Sequence, residues 1–330
     1  MRERLLNLIP QLAGRRVLIV GDVILDEYLT GRATRMSREA PVPVLEFESR
    51  RHVAGGAGNP AANVVALGSE ALLVAVVGAD AEADALRHVL RQNGIAPDSL
   101  IVDETRPTTL KTRLMAHMGL RFPQQVARLD RLSRAALSPE VEKRVGEQIA
   151  VLLPQMDAVL VSDYRSGMLS PALVRLIRDL AGDKLTTADS QGEFDKYAGF
   201  GVVKCNADEA RDHLRRDLRS DADFAEGAQL LFDRMALKRA MVITRGSDGA
   251  TVALPDGAFH CPAPVITDVF DTVGAGDTAI AVMTLALVAG AAPVEAVALA
   301  NAASGVVVRR VGNYAPTPQD LRQAVAASAL

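Results

Sequence analysis

Apolar, β-branched runs recur along the chain, and segments with a helical period lie between them. Most runs are continuous rather than alternating, which is typical of strands covered on both faces. The predicted strands are Arg16–Val20, Leu72–Val77, Ala158–Ser162, Leu185–Asp189, Val202–Cys205 and Ala240–Thr244. The predicted helices are Ala81–Asn93, Pro139–Leu153, Pro171–Ala181, Ala207–Leu214 and Asp221–Met235. This alternation predicts right-handed βαβ units and an α/β fold with helices on both faces of a mostly parallel sheet.

Two segments, at residues 28–53 and 108–130, break this alternation. They are rich in Thr, Val and Arg, with polar alternation and no helical period. We interpret them as antiparallel strands inserted between units of the main sheet. Because a small sheet has exposed edges, we expect it to act as a lid over the active site and to form a homodimer. The alternative is that each insertion is a surface hairpin without function. The chain has no low-complexity linker and no internal repeat, which predicts one domain over residues 1–330.

Composition excludes several classes of protein. The formal net charge of −3, from 37 basic and 40 acidic residues, gives no electrostatic case for a nucleic-acid or anionic membrane partner. Cys205 and Cys261 lack metal-ligand spacing, which is consistent with a reducing compartment. The N-terminus lacks a secretory signal pattern, and the apolar stretch Thr278–Ala292 is shorter than the ~20 residues that a bilayer requires. We therefore expect a cytoplasmic protein.

The segment Asp271–Thr278, with the sequence DTVGAGDT, directly precedes this apolar stretch. Gly274 and Gly276 leave room for a ligand near the backbone, and the first amides of a helix attract anions. Asp277 can take a proton from a hydroxyl in a phosphoryl transfer. An acid that complements the helix dipole is the alternative, but it does not require two preceding glycines. The pattern favours a phosphoryl-transfer site with Asp277 as its base.

The DTVGAGDT segment resembles the signature of the ribokinase-like (PfkB) carbohydrate kinases. Residues 55–63 (GGAGNPAAN) and 244–249 (TRGSDG) are similar to two further motifs of that family, in the same order. The resemblance extends from residue 17 to about Pro316. It implies a three-layer αβα fold with a central mostly parallel sheet and a small β-sheet lid. It also implies ATP as phosphoryl donor and Mg²⁺ as cofactor, and it leaves open a monovalent cation such as K⁺.

Four shorter segments resemble the D-glycero-β-D-manno-heptose-7-phosphate kinases within that family. They are Gly21–Asp26, Ser37–Val44, Gln124–Asp130 and Ser162–Tyr164. This likeness implies phosphorylation of the anomeric (C1) hydroxyl of the heptose 7-phosphate, on the route to ADP-heptose and lipopolysaccharide. In many bacteria that kinase is fused to an adenylyltransferase. The chain has no H-x-G-H motif of such a domain, so we expect a stand-alone kinase.

The resemblance assigns roles on the sugar side of the site. It makes Asp277 the catalytic base and the amides of Gly274, Ala275 and Gly276 the anion hole. The residues that it implies around the sugar are Asp22, Gly55, Gly56, Asn59, Asn63 and Asp163. The cations that could bind a second phosphate are Lys111, Arg113, Arg121 and Arg128 on one insertion and Arg38 on the other. The alternatives are a turn-forming Asp22 and lid cations that are merely solvated.

The resemblance also assigns the nucleotide side. Thr244, Gly246 and Gly249 would meet the ATP phosphates, and Asn301 would lie near the adenine. Asn206 and Glu209 match an N-x-x-E motif that helps to hold Mg²⁺, although a helix N-cap explains Asn206 equally well.

Two departures from the family pattern lie close to this motif. Residues 189–192 read DSQG where relatives often read DPKG, and Lys204 stands where relatives usually have an uncharged residue. If the missing lysine helps to neutralise phosphate, another cation must replace it.

Three other functions compete with heptose phosphorylation. The nearest is the same reaction on ribose, fructose or adenosine, for which the lid cations would be dispensable. A dinucleotide-dependent oxidoreductase is suggested by the strand at 17–21, but the G-x-G-x-x-G turn does not follow it. A non-catalytic sugar sensor would require loss of Asp277 or its glycines, and both are present.

Overall fold

The computed structural model describes residues 1–119, 123–269 and 271–328, in which the chain forms thirteen strands and ten α-helices. The strands are β1 (Arg16–Gly21), β2 (Val23–Met36), β3 (Pro43–Gly56), β4 (Glu70–Val77), β5 (Leu100–Val102), β6 (Leu110–His117), β7 (Gln124–Arg131), β8 (Ala158–Asp163), β9 (Leu185–Ser190), β10 (Val202–Asn206), β11 (Ala240–Thr244), β12 (Ala250–Leu254) and β13 (Gly257–Cys261). The helices are α1 (Arg2–Leu8), α2 (Gly58–Ala66), α3 (Ala81–Gln92), α4 (Pro139–Leu152), α5 (Pro171–Ala181), α6 (Ala207–Leu214), α7 (Asp221–Arg234), α8 (Ala275–Val288), α9 (Pro293–Val307) and α10 (Pro318–Ala327).

Nine strands form the main sheet in the order β13-β12-β11-β10-β9-β8-β1-β4-β5. The strands from β11 to β5 pair in parallel, whereas β12 and β13 add an antiparallel edge. Every predicted strand and helix agrees with the observed bounds to within two residues. The predicted α/β class is confirmed. Strands β5, β12 and β13 were not predicted; β5 has only three residues, too few to carry a periodic signal.

Both faces of the main sheet are covered, which explains the continuous apolar runs. In β1, Val17 and Ile19 pack into the core formed with α2, α8 and α9. Leu18 and Val20 pack into the opposite core, formed with α4, α5 and α7. The residues of β1 from Val17 onward are therefore buried whichever way their side chains point.

Helix α8 is the most deeply buried helix of the fold, with Asp277 to Leu287 all inside. It packs against α9 and α2, so apolar side chains surround it on every side. None of the helices within residues 1–119, 123–269 and 271–328 combines the length and the apolar character needed to cross a membrane. The all-round apolar sequence of α8 is explained by its central position under the sheet.

The second sheet, here called the lid sheet, has the order β3-β2-β6-β7. β2–β3 and β6–β7 are antiparallel hairpins that overlap the two predicted insertions, although the first hairpin is longer than predicted and runs from Val23 to Gly56. The two hairpins join through a parallel pairing of β2 with β6, which the sequence did not predict. β2 follows β1 and β6 follows β5 along the chain. Because β1, β4 and β5 are parallel, β1 and β5 end on the same side of the main sheet, so β2 and β6 leave it on that side and run in the same direction. All of β7 is exposed.

Candidate active site

The carboxylate of Asp277 lies in the first turn of α8 and is only 7% exposed. Its Oδ2 accepts a hydrogen bond from Asn59 Nδ2 at 2.8 Å. Its Oδ1 accepts one from the hydroxyl of Tyr164, also at 2.8 Å. Tyr164 follows β8, and no pattern in the sequence indicates that it contacts Asp277. Both oxygens of the carboxylate are thereby held in one orientation.

Burial raises the pKa of Asp277 from 3.8 to about 6, and the nearby carboxylate of Asp189 raises it as well. The hydrogen bonds from Asn59 and Tyr164 and the charge of Lys204 oppose this increase, because they stabilise the ionised form. A carboxylate with a pKa near 6 is ionised at neutral pH and retains appreciable basicity. It is therefore suited to take a proton in a general-base step.

The two glycines before Asp277 are required by close contacts. Gly274, the N-cap of α8, has φ +82°, and a Cβ there would lie 2.7 Å from Asn59 Nδ2 and 2.9 Å from Asn313 Oδ1. A Cβ at Gly276 would lie 2.9 Å from Lys204 Nζ. Polar side chains thus approach the backbone of this turn from two sides, and the binding of an anion by its amides stays a prediction.

A second buried carboxylate, Asp26 on β2, lies on the lid side of this turn. It occupies the space that a side chain at Gly55 would need. Its Oδ1 accepts from Arg113 Nη1 at 2.5 Å, and its Oδ2 accepts from Asn313 Nδ2 at 3.2 Å. Since Asn313 also abuts Gly274, Asp26 belongs to the surroundings of Asp277. The sequence analysis assigned Asp26 no role, although Asp26 ends the segment Gly21–Asp26 that resembles the heptose kinases.

Asp22, the predicted sugar ligand, follows β1 where the strand order of the sheet reverses. Its Oδ2 accepts from the backbone amides of Tyr164 and Ser166 at 2.9 and 3.0 Å. Burial raises its pKa to about 6. The observed contacts make Asp22 a link between β1 and the loop after β8, and its contact with a sugar stays a prediction.

Asn63 and Asp163 are likewise engaged by protein groups. Asn63 is fully buried, donates to the carbonyl of Asn59 at 2.9 Å and accepts from Thr278 Oγ1 at 2.9 Å. The carboxylate of Asp163 accepts from Tyr197 at 2.6 Å and lies 2.7 Å from Lys196 Nζ. Asn63 thus positions Asn59 and Thr278 beside Asp277, whereas Asp163 is held by Tyr197 and Lys196; direct substrate contact of both residues stays a prediction.

The predicted lid cations differ in their surroundings. The ammonium of Lys111 lies 5.1 Å from the centre of the Tyr164 ring. Arg113 is buried and paired with Asp26, whereas Arg128 lies on exposed β7 with its Nε 2.8 Å from Asp130 Oδ1. Arg38 is exposed between β2 and β3. Arg121 lies outside the described residues.

A cavity of about 140 Å³ opens beside Asp277 at the carboxyl ends of β9 and β10. Its lining consists of Asp163, Tyr164, Asp189, Gln191, Lys204, Asn206, Glu209, Gly274, Gly276 and Asp277. Asn206 caps α6: its Oδ1 accepts from the Glu209 amide at 2.9 Å, and Glu209 Oε2 accepts from the Asn206 amide at 2.7 Å. Burial raises the pKa of Glu209. The N-x-x-E motif therefore both caps a helix and faces the cavity.

The cavity suits Mg²⁺ bound together with phosphate. Glu209 offers a carboxylate oxygen, the kind of ligand that Mg²⁺ prefers, and Asn206 adds an amide oxygen. Across the described ranges there is no group of three or more His, Cys, Asp or Glu that could hold a metal. Because Mg²⁺ usually keeps several waters and binds substrate phosphates, a site with few protein ligands fits it.

Two of the four residues predicted to bind ATP, Asn301 and Gly249, lie beside Cys261 and Pro262. Asn301 donates from Nδ2 to the Cys261 carbonyl at 3.0 Å. Gly249 has φ +89° and packs against the same backbone, whereas Gly246 has φ +60° and is exposed with open space around it. Thr244 ends β11 and donates to the Cys205 carbonyl at 3.2 Å. The structure thus brings Asn301 and Gly249 to the same backbone segment, and contact of all four residues with ATP stays a prediction.

The site thus combines a buried carboxylate at a glycine-rich helix start with an adjacent cavity, beside a second, smaller sheet. The chain belongs to the pfkB family of carbohydrate kinases, whose pattern matches residues 15–320. Curated relatives named "Bifunctional protein HldE" are similar to it over almost its whole length. That of Pelobacter propionicus is 34% identical, with 98% of this chain and 66% of the relative covered. That of Paramagnetospirillum magneticum is 37% identical, with 93% and 62% covered. The chain thus spans just under two thirds of the length of these relatives.

Solved structures support the fold. Ribokinase from Arabidopsis thaliana, complexed with ribose and ATP, superposes with a TM-score of 0.74 at 15% identity, covering 95% of this chain and 99% of that one. Phosphofructokinase-2 from Escherichia coli, in complex with substrates and products, gives 0.77 at 19% identity, covering 96% and 100%. The ribokinase-like three-layer fold predicted from the sequence is confirmed.

Proposed function

We propose that this protein is an ATP-dependent sugar kinase that phosphorylates the anomeric C1 hydroxyl of D-glycero-β-D-manno-heptose 7-phosphate. The product would be the 1,7-bisphosphate used in ADP-heptose and lipopolysaccharide core synthesis. One observation carries the kinase assignment: Asp277 is buried at the start of α8, held by Asn59 on one oxygen and facing the cavity of Asn206 and Glu209. The heptose assignment rests on the four heptose-kinase segments and on the relatives named HldE at 34–37% identity. The reaction uses ATP and a sugar phosphate, so we place it in the cytoplasm.

In this proposal the protein contributes positioning and electrostatic stabilisation. Asp277 accepts the proton of the C1 hydroxyl while the hydroxyl oxygen forms its bond to the γ-phosphorus of ATP. The bond from that phosphorus to ADP breaks, and its electron pair stays on ADP. The amides of Gly274, Ala275 and Gly276 stabilise the charge on the transferring group. Mg²⁺, when bound near Asn206 and Glu209, would neutralise charge on the phosphates.

The second phosphate of the substrate needs a cation on the lid side. Lys111 is the best placed, because its ammonium lies against the ring of Tyr164, whose hydroxyl binds Asp277. The guanidinium groups of Arg113 and Arg128 already face Asp26 and Asp130, so their charges are partly compensated.

We also propose that the lid sheet forms a homodimer. Phe47 on β3 and Leu129 on β7 are 70% and 71% exposed, which is unusual for large apolar side chains. Both strands are edges of the lid sheet, where unpaired backbone groups also favour association.

A kinase for another sugar or nucleoside, such as ribose, fructose or adenosine, is the second candidate. The pairing of Arg113 with Asp26 favours it, because a neutralised guanidinium contributes less to binding a second phosphate.

A coupled ADP assay separates the two candidates. We expect the highest kcat/KM with heptose 7-phosphate and a large loss with the heptose lacking its 7-phosphate, with ³¹P NMR locating the new phosphate at C1. Turnover of ribose, fructose or adenosine with equal kcat/KM would overturn the heptose assignment.

A further inference from the structure

A buried lysine lies in the same cavity as Asp277 and is not used by the mechanism above. Lys204 on β10 has a side chain only 5% exposed, and its Nζ lies 2.7 Å from Asp189 Oδ2. Lys204 and Asp189 are register partners on the adjacent parallel strands β10 and β9. Both line the cavity with Asp277, so this ammonium faces the space between the proposed base and the proposed phosphate site.

The ammonium of Lys204 also lies against the start of α8. A Cβ at Gly276 would come within 2.9 Å of Nζ, so the absence of a side chain at Gly276 makes room for the lysine. The free amides at a helix start carry partial positive charge, which disfavours a buried cation beside them. Among the described residues, the other charged groups that line this cavity are carboxylates, so Lys204 and the start of α8 form its one positive side, where a negatively charged group of a ligand would bind.

The hydrogen bonds of Lys204 leave capacity for such a ligand. An ammonium has three donors, and in the described parts of the chain Asp189 is the one acceptor that Nζ reaches. Lys196 provides a contrast, because it is equally buried and pairs with Asp163 at 2.7 Å. Its Nζ also donates to the Leu169 carbonyl at 2.9 Å and lies 3.1 Å from Glu193. The ammonium of Lys196 thus has three acceptors within the protein, whereas that of Lys204 has one in the described parts of the chain.

We propose that Lys204 is a catalytic residue that binds the γ-phosphoryl group of ATP and stays bound to it during transfer, with Asp189 holding its ammonium in place. This inference rests on the assignment of the Asp277 cavity to phosphoryl transfer. The new bond joins the sugar oxygen to the γ-phosphorus, and the bond to ADP breaks with its electron pair left on ADP. The hydroxyl proton passes to Asp277. Lys204 keeps its protons and donates hydrogen bonds only.

The test compares ATP with ADP, because ADP lacks the phosphate that Lys204 would bind. Isothermal titration without sugar measures both affinities for Lys204→Met and Lys204→Arg. Lys204→Met should weaken ATP binding about 10-fold or more and leave ADP binding nearly unchanged. Its kcat should fall about 10²–10³-fold. Lys204→Arg, which keeps the charge, should recover part of the ATP affinity.

Lys204→Met leaves Asp189 buried without its partner, and this could prevent folding. The double variant Lys204→Met with Asp189→Asn removes both charges, so no unpaired carboxylate is buried and the variant should fold. It should show the same selective loss of ATP affinity.

Lys196→Met is the matched control, because it removes a buried lysine from an equally close pair with Asp163. It should lower thermal stability and keep the ratio of ATP to ADP affinity. Equal effects on ATP and ADP in the Lys204 variants, or no effect on either, would overturn the proposal. Since no sugar is present, a selective loss of ATP affinity would support Lys204 even if heptose 7-phosphate is not the substrate.

Discussion

Each oxygen of the Asp277 carboxylate has its own donor, Asn59 on one side and Tyr164 on the other. Asn59 is oriented in turn by Asn63, which also accepts from Thr278 one residue beyond the base. These bonds fix the carboxylate before substrate arrives, so little reorganisation is needed during proton transfer. The aspartate is thus part of a buried polar network rather than a solvated helix cap.

Replacing Asp277 with Asn should remove the base and retain the shape of the site. An amide can still accept from Asn59, and the hydroxyl of Tyr164 can accept from the new NH₂ group. We expect kcat to fall about 10²–10⁴-fold while ATP affinity changes little, as measured by steady-state kinetics and titration calorimetry. Turnover near that of the unaltered enzyme would show that another group takes the proton.

The pH dependence of kcat/KM should follow the ionisation of Asp277. Its pKa is raised from 3.8 to about 6, and the base acts only when ionised. Activity should therefore be full above neutral pH and fall as the pH drops through about 6.

Asp22 also has a pKa raised to about 6, so its protonation could equally cause the fall of kcat/KM at low pH, and a control is needed. Tyr164→Phe removes the hydroxyl that stabilises ionised Asp277 and keeps the backbone amide that binds Asp22. Loss of this hydrogen bond raises the pKa of Asp277, so in this variant kcat/KM should begin to fall at a higher pH. If kcat/KM falls at the same pH as in the unaltered enzyme, a group other than Asp277 causes the fall.

At the scale of elements, strand β6 presents two cations to the site. Lys111 and Arg113 are two residues apart and share a face of the lid sheet. The ammonium of Lys111 lies over the Tyr164 ring, whereas Arg113 forms a buried pair with Asp26 and lies 5.2 Å from the centre of the Tyr28 ring. One strand thus supplies a cation that is available to a ligand and a cation that is committed to the fold.

Lys111→Met should weaken binding of a phosphorylated sugar and leave nucleotide binding unchanged. We expect KM for heptose 7-phosphate to rise about 10-fold, because one charge-assisted hydrogen bond to the 7-phosphate is lost. KM for ATP should stay constant. Lys143→Met on α4, where the side chain is 75% exposed, is the control for losing a lysine. An equal increase in KM for the heptose without its 7-phosphate would show that Lys111 contacts another part of the sugar.

At the scale of the whole molecule, the lid sheet and the start of α8 both lie at the carboxyl ends of the parallel strands of the main sheet. β2 follows β1 directly, and its pairing with β6 connects the two insertions into one sheet. The inner side of this sheet supplies Asp26 and Arg113 to the site, while the strands at its two edges expose Phe47 and Leu129. A surface of this kind can cover the sugar and bind a second copy at the same time.

Changing these apolar residues should separate the dimer. We expect light scattering after size exclusion to give twice the 35.0 kDa chain mass for the unaltered protein. Leu129→Asp or Phe47→Asp should reduce this to the mass of one chain, because a charge in the apolar contact would lose its water. Val151→Asp, at a 64% exposed position on α4, is the control and should keep the larger mass. A single-chain mass for the unaltered protein would rule out the dimer.

The sequence was informative where a regular period or a special backbone requirement acted locally. The runs that became β1, β8 and β9 were found because strands covered on both faces are apolar throughout. The start of α8 was found because two glycines directly before an acid and an apolar helix are typical of an anion-binding turn. The parallel pairing of β2 with β6 was not found, since nothing local distinguishes parallel from antiparallel partners for a polar, alternating strand.

The sequence by itself determined the α/β class, the succession of helices and strands and the segment that contains Asp277. Only the tertiary structure decided which polar groups surround that aspartate. Asn59, Tyr164, Asn313 and Lys204 come from distant parts of the chain, and no spacing relates them. It also decided that Asp26 belongs beside this turn while Asp22 links β1 to a loop. The reason is physical: a period reports the burial of one element, whereas a site depends on distances between elements that only packing sets.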